Sequence, residues 1–252
     1  MKIPMPMKRY KKRFKSMFLQ TYVKRKMFLF LLLILAINSC GVQDPDNYNR
    51  QGVLFDSQGK LDEAMQYYKK ALSIDPYNRD AHCNIATVYH KKGQLNKALE
   101  EYKIVLELYP YDPQILYNVG AIQARNNNQD NAIAFWEKAV ELKPDFTEAQ
   151  YALGIAYAQK NRFDDAIKSY KKVLETQPDD PVLYNNLGAA YTETGKLDEA
   201  IAALKKSIQL NPKIPMSHKN LEFAYRKKWL IEDAEKELKL YEVLSNNTPQ
   251  EK

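Results

Sequence analysis

Histidine is scarce in this chain: His82, His90 and His218 are the only three in 252 residues. Cys83 and His90 lie seven apart, about two helical turns or roughly 10 Å along a helix, and His82 points about 100° away from Cys83. No metal-chelating set assembles from them. Cysteine is scarcer still, with Cys40 and Cys83 alone, which excludes a disulfide framework. The eight glycines form no phosphate-cradling loop. Paired acids such as Asp164-Asp165 and Asp179-Asp180 suit helix starts and solvated turns. Nothing alternates in the manner of a strand. With no nucleophile, acid-base pair or cofactor motif in view, neither catalysis nor a bound cofactor is expected.

Acidic residues are missing altogether from residues 1–39, which hold 10 of the 38 Lys and Arg. Without that segment 28 basic residues face 31 acidic ones, so the net charge of +7 belongs to the N-terminus and the body stands near −3. A nucleic-acid partner is therefore not expected. Within the basic segment, Lys24-Arg25-Lys26 precedes the apolar run MFLFLLLILAI, Met27 to Ile37. Its eleven residues fall short of the about 20 needed to span a bilayer, but they suit the apolar core of a secretory signal. The run ends in Ile37-Asn38-Ser39-Cys40, which resembles a bacterial lipobox, with Asn38 departing from the commonest pattern. That resemblance implies a signal peptide over residues 1–39, cleavage before Cys40, lipid on Cys40, and a short tether at 40–44. An uncleaved anchor with an incidental cysteine is the alternative.

What the chain has in abundance is self-similarity. A unit of 34 residues recurs without insertion or deletion at 45–78, 79–112, 113–146, 147–180, 181–214 and 215–248, leaving a polar tail at 249–252. Ala64, Ala98, Ala132, Ala166, Ala200 and Ala234 are equivalent. So are Gly52, Ala86, Gly120, Gly154 and Gly188, a series that ends at Glu222 in the last copy. A glycine inside a helix costs about 1 kcal/mol relative to alanine, so a close approach of two helices is expected there. Phe55, Tyr89, Tyr157, Tyr191 and Tyr225 on first helices, and Tyr68, Tyr102, Trp136 and Tyr170 on second helices, read as core around that contact. Second helices are expected to start on capping side chains at Asp62, Asn96, Asp130, Asp164 and Asp198. They are expected to stop before Pro76, Pro110, Pro144, Pro178 and Pro212. Gly59, Gly93, Asn127, Asn161 and Gly195 suit a left-handed turn within each hairpin.

This pattern of small, aromatic, alanine and proline positions resembles the tetratricopeptide repeat family. The resemblance implies an all-α fold, a right-handed α-solenoid of helix-turn-helix hairpins with a concave face built mainly from first helices. The sixth copy departs from the pattern at Glu222 and Trp229 and lacks the closing proline, as expected of a terminal cap; Glu232, Asp233, Glu235, Lys236 and Glu237 make its second helix polar.

Before the small residue of the repeat stand Asn84, Asn118, Asn186 and Asn220, with Ala152 breaking the series. In some arrays of this family, asparagines so placed line the groove and hold the backbone of a bound peptide. A carboxamide carries both donor and acceptor, so such a ladder reads peptide units whatever their side chains. The alternative is that these asparagines bond to neighbouring helices. The concave face is expected to add Tyr117, Ala121 and Ala124, then Tyr151, Ile155 and Ala158, with Arg125 and Asn185 on its borders. Another mode of the family grips a C-terminal carboxylate with flanking basic residues, which are missing here. The expected function is a lipid-anchored scaffold of the bacterial envelope that binds an extended segment of an envelope protein. The alternative is an assembly factor, resembling pilotins or outer-membrane assembly components, that docks a folded partner.

Overall fold

The computed structural model describes residues 44–246, so the expected signal peptide, Cys40, most of the expected tether and the polar tail lie outside the described residues. Twelve helices and no strand occur among the described residues. They are α1 (Pro45–Ser57), α2 (Leu61–Ile74), α3 (Arg79–Lys91), α4 (Leu95–Leu108), α5 (Pro113–Arg125) and α6 (Gln129–Leu142). There follow α7 (Thr147–Gln159), α8 (Phe163–Thr176), α9 (Pro181–Glu193), α10 (Leu197–Leu210), α11 (Pro215–Lys227) and α12 (Ile231–Asn246). Odd-numbered helices start 34 residues apart from 45 to 215, and even-numbered ones 34 apart from 61 to 231. The fold class is an α-solenoid of helical hairpins. The chain divides into two compact units, Met1–Asn84 and Ile85–Lys252, the division falling inside α3.

The turn inside each hairpin is left-handed as expected. Gly59, Gly93 and Gly195 have φ of 75°, 72° and 74°, and Asn127 and Asn161 have 60° and 59°. Trp229 takes the same conformation at 64°, with its indole exposed to solvent. That turn also corrects the expected caps. The amide of Lys60 bonds back to the carbonyl of Phe55, and the carbonyl of Lys60 already accepts from Ala64. The left-handed closure therefore runs straight into the second helix with no separate capping side chain. Lys60, Gln94, Asn128, Arg162 and Lys196 precede the second helices and make no side-chain cap bond. Asp62, Asp130, Asp164 and Asp198 lie inside the first turn, where their charge meets the positive helix end. Side-chain caps appear instead on first helices: Asp44, Asp112 and Asp180 each cap a helix that opens with proline.

In the first unit, Gly52 faces Tyr68 so closely that a Cβ would stand 2.4 Å from the ring. In the second unit, Gly120 meets Trp136, Gly154 meets Tyr170 and Gly188 meets Leu204 at 2.5, 2.4 and 2.5 Å. The missing side chain at Gly120 admits the indole, whose N–H reaches the Tyr117 carbonyl oxygen at 3.0 Å. One apolar core then runs from α6 to α12, through Ala132, Leu153, Ala166, Leu187, Ala200 and Leu221. The last hairpin is joined through a buried imidazole. His218 Nδ1 lies 2.6 Å from Glu237 Oε2, and its Nε2 lies 3.2 Å from the Pro212 carbonyl oxygen. The terminal hairpin is less polar than the sequence implies, because Trp229, Leu230, Ile231, Leu240 and Val243 are exposed.

Buried tyrosines in each of the two units tie stability to pH. Burial, with Asp56 nearby, pushes Tyr68 up from 10.0 to about 12. Burial likewise raises Tyr157, whose hydroxyl donates to Glu137, and Tyr170. A folded value above the unfolded one favours the neutral ring, so this stability is present below pH 10 and is lost as pH climbs through the folded value of about 12. The melting temperature should therefore hold level up to pH 10 and fall from there toward about 12, with tyrosinate absorbance rising together with loss of helicity. A smooth rise in absorbance while helicity persists would show these rings to be open to solvent.

Candidate interaction face on the first helices

On α5, Tyr117, Ala121 and Ala124 recur at four- and three-residue spacing and share a face; Tyr151, Ile155 and Ala158 repeat the pattern on α7. All six are half-buried and packed on the core of the second unit. Tyr117 leans on Phe146 with ring centroids 5.3 Å apart, and Tyr151 lies 6.4 Å from the Tyr170 ring. Burial raises the pKa of both phenols, helped at Tyr117 by Glu148 and at Tyr151 by Asp180; the bond between Tyr151 and Asn186 pulls the other way. Each of the two helices thus presents an apolar stripe, one side of which is held by the core.

The asparagines are engaged with the protein itself. In the first unit, Asn84 donates to Asn49 Oδ1 at 2.9 Å. In the second, Asn118 donates to the Tyr102 hydroxyl at 3.2 Å and accepts from Gln114 at 3.3 Å. Asn220 donates to Asn185 Oδ1 at 2.9 Å, Asn185 donates to Asn186 Oδ1 at 3.4 Å, and Asn186 is bonded to Tyr151. These contacts make a polar chain across α11, α9 and α7. Asn185, expected on a border of the groove, is buried within that chain. Of four hydrogen-bonding positions on each carboxamide, Asn118 commits two to internal partners, and Asn84, Asn118 and Asn220 each bond to a neighbouring helix. The signal for this lay in spacing: Asn84 with Asn49, and Asn220 with Asn185, are 35 residues apart, one more than the repeat.

Arg125 closes the α5 stripe at its C-terminal end. Its Nη1 lies 2.9 Å from His90 Nε2, again 35 residues back. Only the neutral imidazole offers that nitrogen a lone pair. Burial and the neighbouring Arg125 charge both hold the His90 pKa below its ordinary value. Among the described residues, no group of three or more His, Cys, Asp and Glu is placed to hold a metal ion.

The family model described as TPR repeat matches residues 52–93, 86–127, 125–161 and 156–195, and the one described as Tetratricopeptide repeat matches 181–214. No curated protein matches the chain in sequence. Among solved structures, MamA 41-end from Desulfovibrio magneticus RS-1 is similar at 23% identity and a TM-score of 0.64, over 68% of this chain and 97% of that one. Another MamA crystal structure shares 28% identity at a TM-score of 0.60, over 67% and 92%. YrrB, described as a TPR protein with an unusual peptide-binding site, shares 24% identity at a TM-score of 0.61, over 73% and 94%.

Proposed function

From the premise that the chain belongs to the tetratricopeptide repeat family, we propose that it is a non-catalytic protein-binding scaffold whose first-helix face holds an extended segment of another protein. The observation that carries this reading is the half-buried stripe of Tyr117, Ala121, Ala124, Tyr151, Ile155 and Ala158, packed from beneath by the core. Small residues on such a stripe leave room for the side chains of a ligand, while the flanking amides keep spare donors and acceptors for its backbone. YrrB, of the same fold, is described as having a peptide-binding site, so the architecture accommodates one.

The reading extends to place. Cys40 carries lipid, residues 1–39 are removed, and the protein works at a membrane face of the bacterial envelope. Residues 41–44 are only four, a reach of roughly 15 Å at about 3.5 Å per residue. The first hairpin therefore rides near the headgroups, and the segment held belongs to an envelope protein. The assembly-factor reading has an observation of its own in the exposed apolar residues Trp229, Leu230, Ile231, Leu240 and Val243, a surface suited to a folded partner.

A photo-crosslinking residue at Tyr151 and, separately, at Lys171 on the outer surface of α8 separates the two. We expect a partner captured from position 151 and not from 171. Capture from 171 or from position 240 on α12, with none from 151, would replace this reading with the docking of a folded partner.

A further inference from the structure

Among the described residues there are five arginines, and four of them meet a carboxylate. Arg50 pairs with Asp44, Arg79 with Asp80, Arg162 with Asp165 and Arg226 with Glu222. Arg125 is the exception. Its guanidinium is exposed and is held through Nη1 by the uncharged acceptor His90 Nε2 at 2.9 Å. A guanidinium presents five N–H donors in a planar fork that matches a carboxylate bidentately. One arm of this fork is tied down while the rest stays open, so less side-chain freedom remains to be lost on binding.

Its position matters as much as its charge. Arg125 follows Ala121 by four residues and Asn118 by seven, so it flanks the apolar stripe on the side of the asparagines. The equivalent positions further along the array carry Gln159 and then Glu193, and Glu193 is already paired with Lys227. On this stretch of the face, then, the open charge is positive and lies beside apolar ground.

We propose that the segment held by this face bears an acidic side chain that Arg125 receives, next to an apolar side chain seated on Ala121, Ala124 and Ile155. This inference rests on the peptide-binding reading above and specifies its ligand: a segment pairing Asp or Glu with an aliphatic or aromatic neighbour. The bound carboxylate occupies the open arm of the guanidinium, while His90 keeps the other arm in place.

Selection of a display library of short random peptides on the full chain in detergent tests it, run in parallel on wild type, Arg125→Gln and Ile155→Arg. Arg125 is exposed and Ile155 half-buried, so matched helicity of the three proteins is checked first. We expect the wild-type pool to enrich Asp or Glu beside an apolar residue. In the Arg125→Gln pool the acidic preference should fall about tenfold, the effect of roughly one charge-assisted contact, with the apolar preference intact. An acidic preference equal in the two pools, or a wild-type pool that is apolar without acid, overturns the role of Arg125 and leaves the peptide-binding face standing. Wild type and Ile155→Arg selecting the same peptides, or no peptide enriched on wild type, overturns the face itself and this inference with it.

Discussion

Leucine in place of Gly154 should destabilise the protein by about 3 kcal/mol, at the upper end for an overpacked core, even though helix propensity alone favours the change by nearly 1 kcal/mol. The reason is local and severe. A Cβ at this position stands 2.4 Å from the Tyr170 ring, which is itself buried against α7 and cannot swing into solvent. Ala86 occupies the equivalent place in the second repeat, so Gly154→Ala should be the milder change, near 1 kcal/mol. Tyr170→Ala alone leaves a cavity and should cost about 3–5 kcal/mol. The informative case is the pair. Leucine at 154 grows into the space vacated at 170, so the double variant should lose about 1–3 kcal/mol less than the sum of the singles. Urea melts of the four proteins supply the cycle. Strict additivity would mean that Gly154 and Tyr170 do not share one packing site.

Asn185→Ala should cost about 2 kcal/mol, since a buried amide removed from a chain of bonds leaves its partners unmatched. For a chain of this size that lowers the melting temperature by about 4–8 °C. The partners left behind are the Asn220 amide, at 2.9 Å from Asn185 Oδ1, and Asn186 Oδ1, which accepts at 3.4 Å. Asn186→Ala loses the same weak bond and its contact with Tyr151, and should cost about 1 kcal/mol. If the asparagines served only to read a bound peptide, both variants would melt with wild type. That outcome would return the ladder to the ligand and leave the inter-helix bonds without energetic weight.

The two results bear on different levels of organisation. Gly154 and Tyr170 belong to one hairpin, 16 residues apart, and the same small-to-large pairing recurs at Gly52 with Tyr68 and Gly120 with Trp136. A relation repeated at fixed spacing within one unit is visible in any single copy, and comparing copies makes it unmistakable. The left-handed turns were legible for the same reason: among the described residues glycine or asparagine stands wherever the backbone takes positive φ, and only Trp229 departs. The second-helix caps were misread because Asp62 and its equivalents carry the composition of caps, while the preceding turn had already supplied the closure through Lys60. Composition places an acid near a helix start but does not say whether it stands before the first turn or inside it.

The face was legible in part. Tyr117, Tyr151 and Ile155 follow from helical periodicity once the register of the repeat is known, and the structure leaves them half-buried on one core. The bonding partners of Asn185 and Arg125 do not follow from it. Their contacts, Asn220 to Asn185 and Arg125 to His90, join residues of successive repeats 35 apart, one position out of register with the repeat itself. The amino-acid sequence by itself determined the helical hairpins, their period, the glycine-to-aromatic contact and the positive-φ turns, because each depends on residues within one 34-residue unit. Which amide bonds to which neighbour, and which guanidinium is left open, was decided only by the tertiary structure. Those partners lie on different hairpins, and side chains leaning toward the N-terminus of their own helix meet across the interface at an offset that the stacking of helices sets.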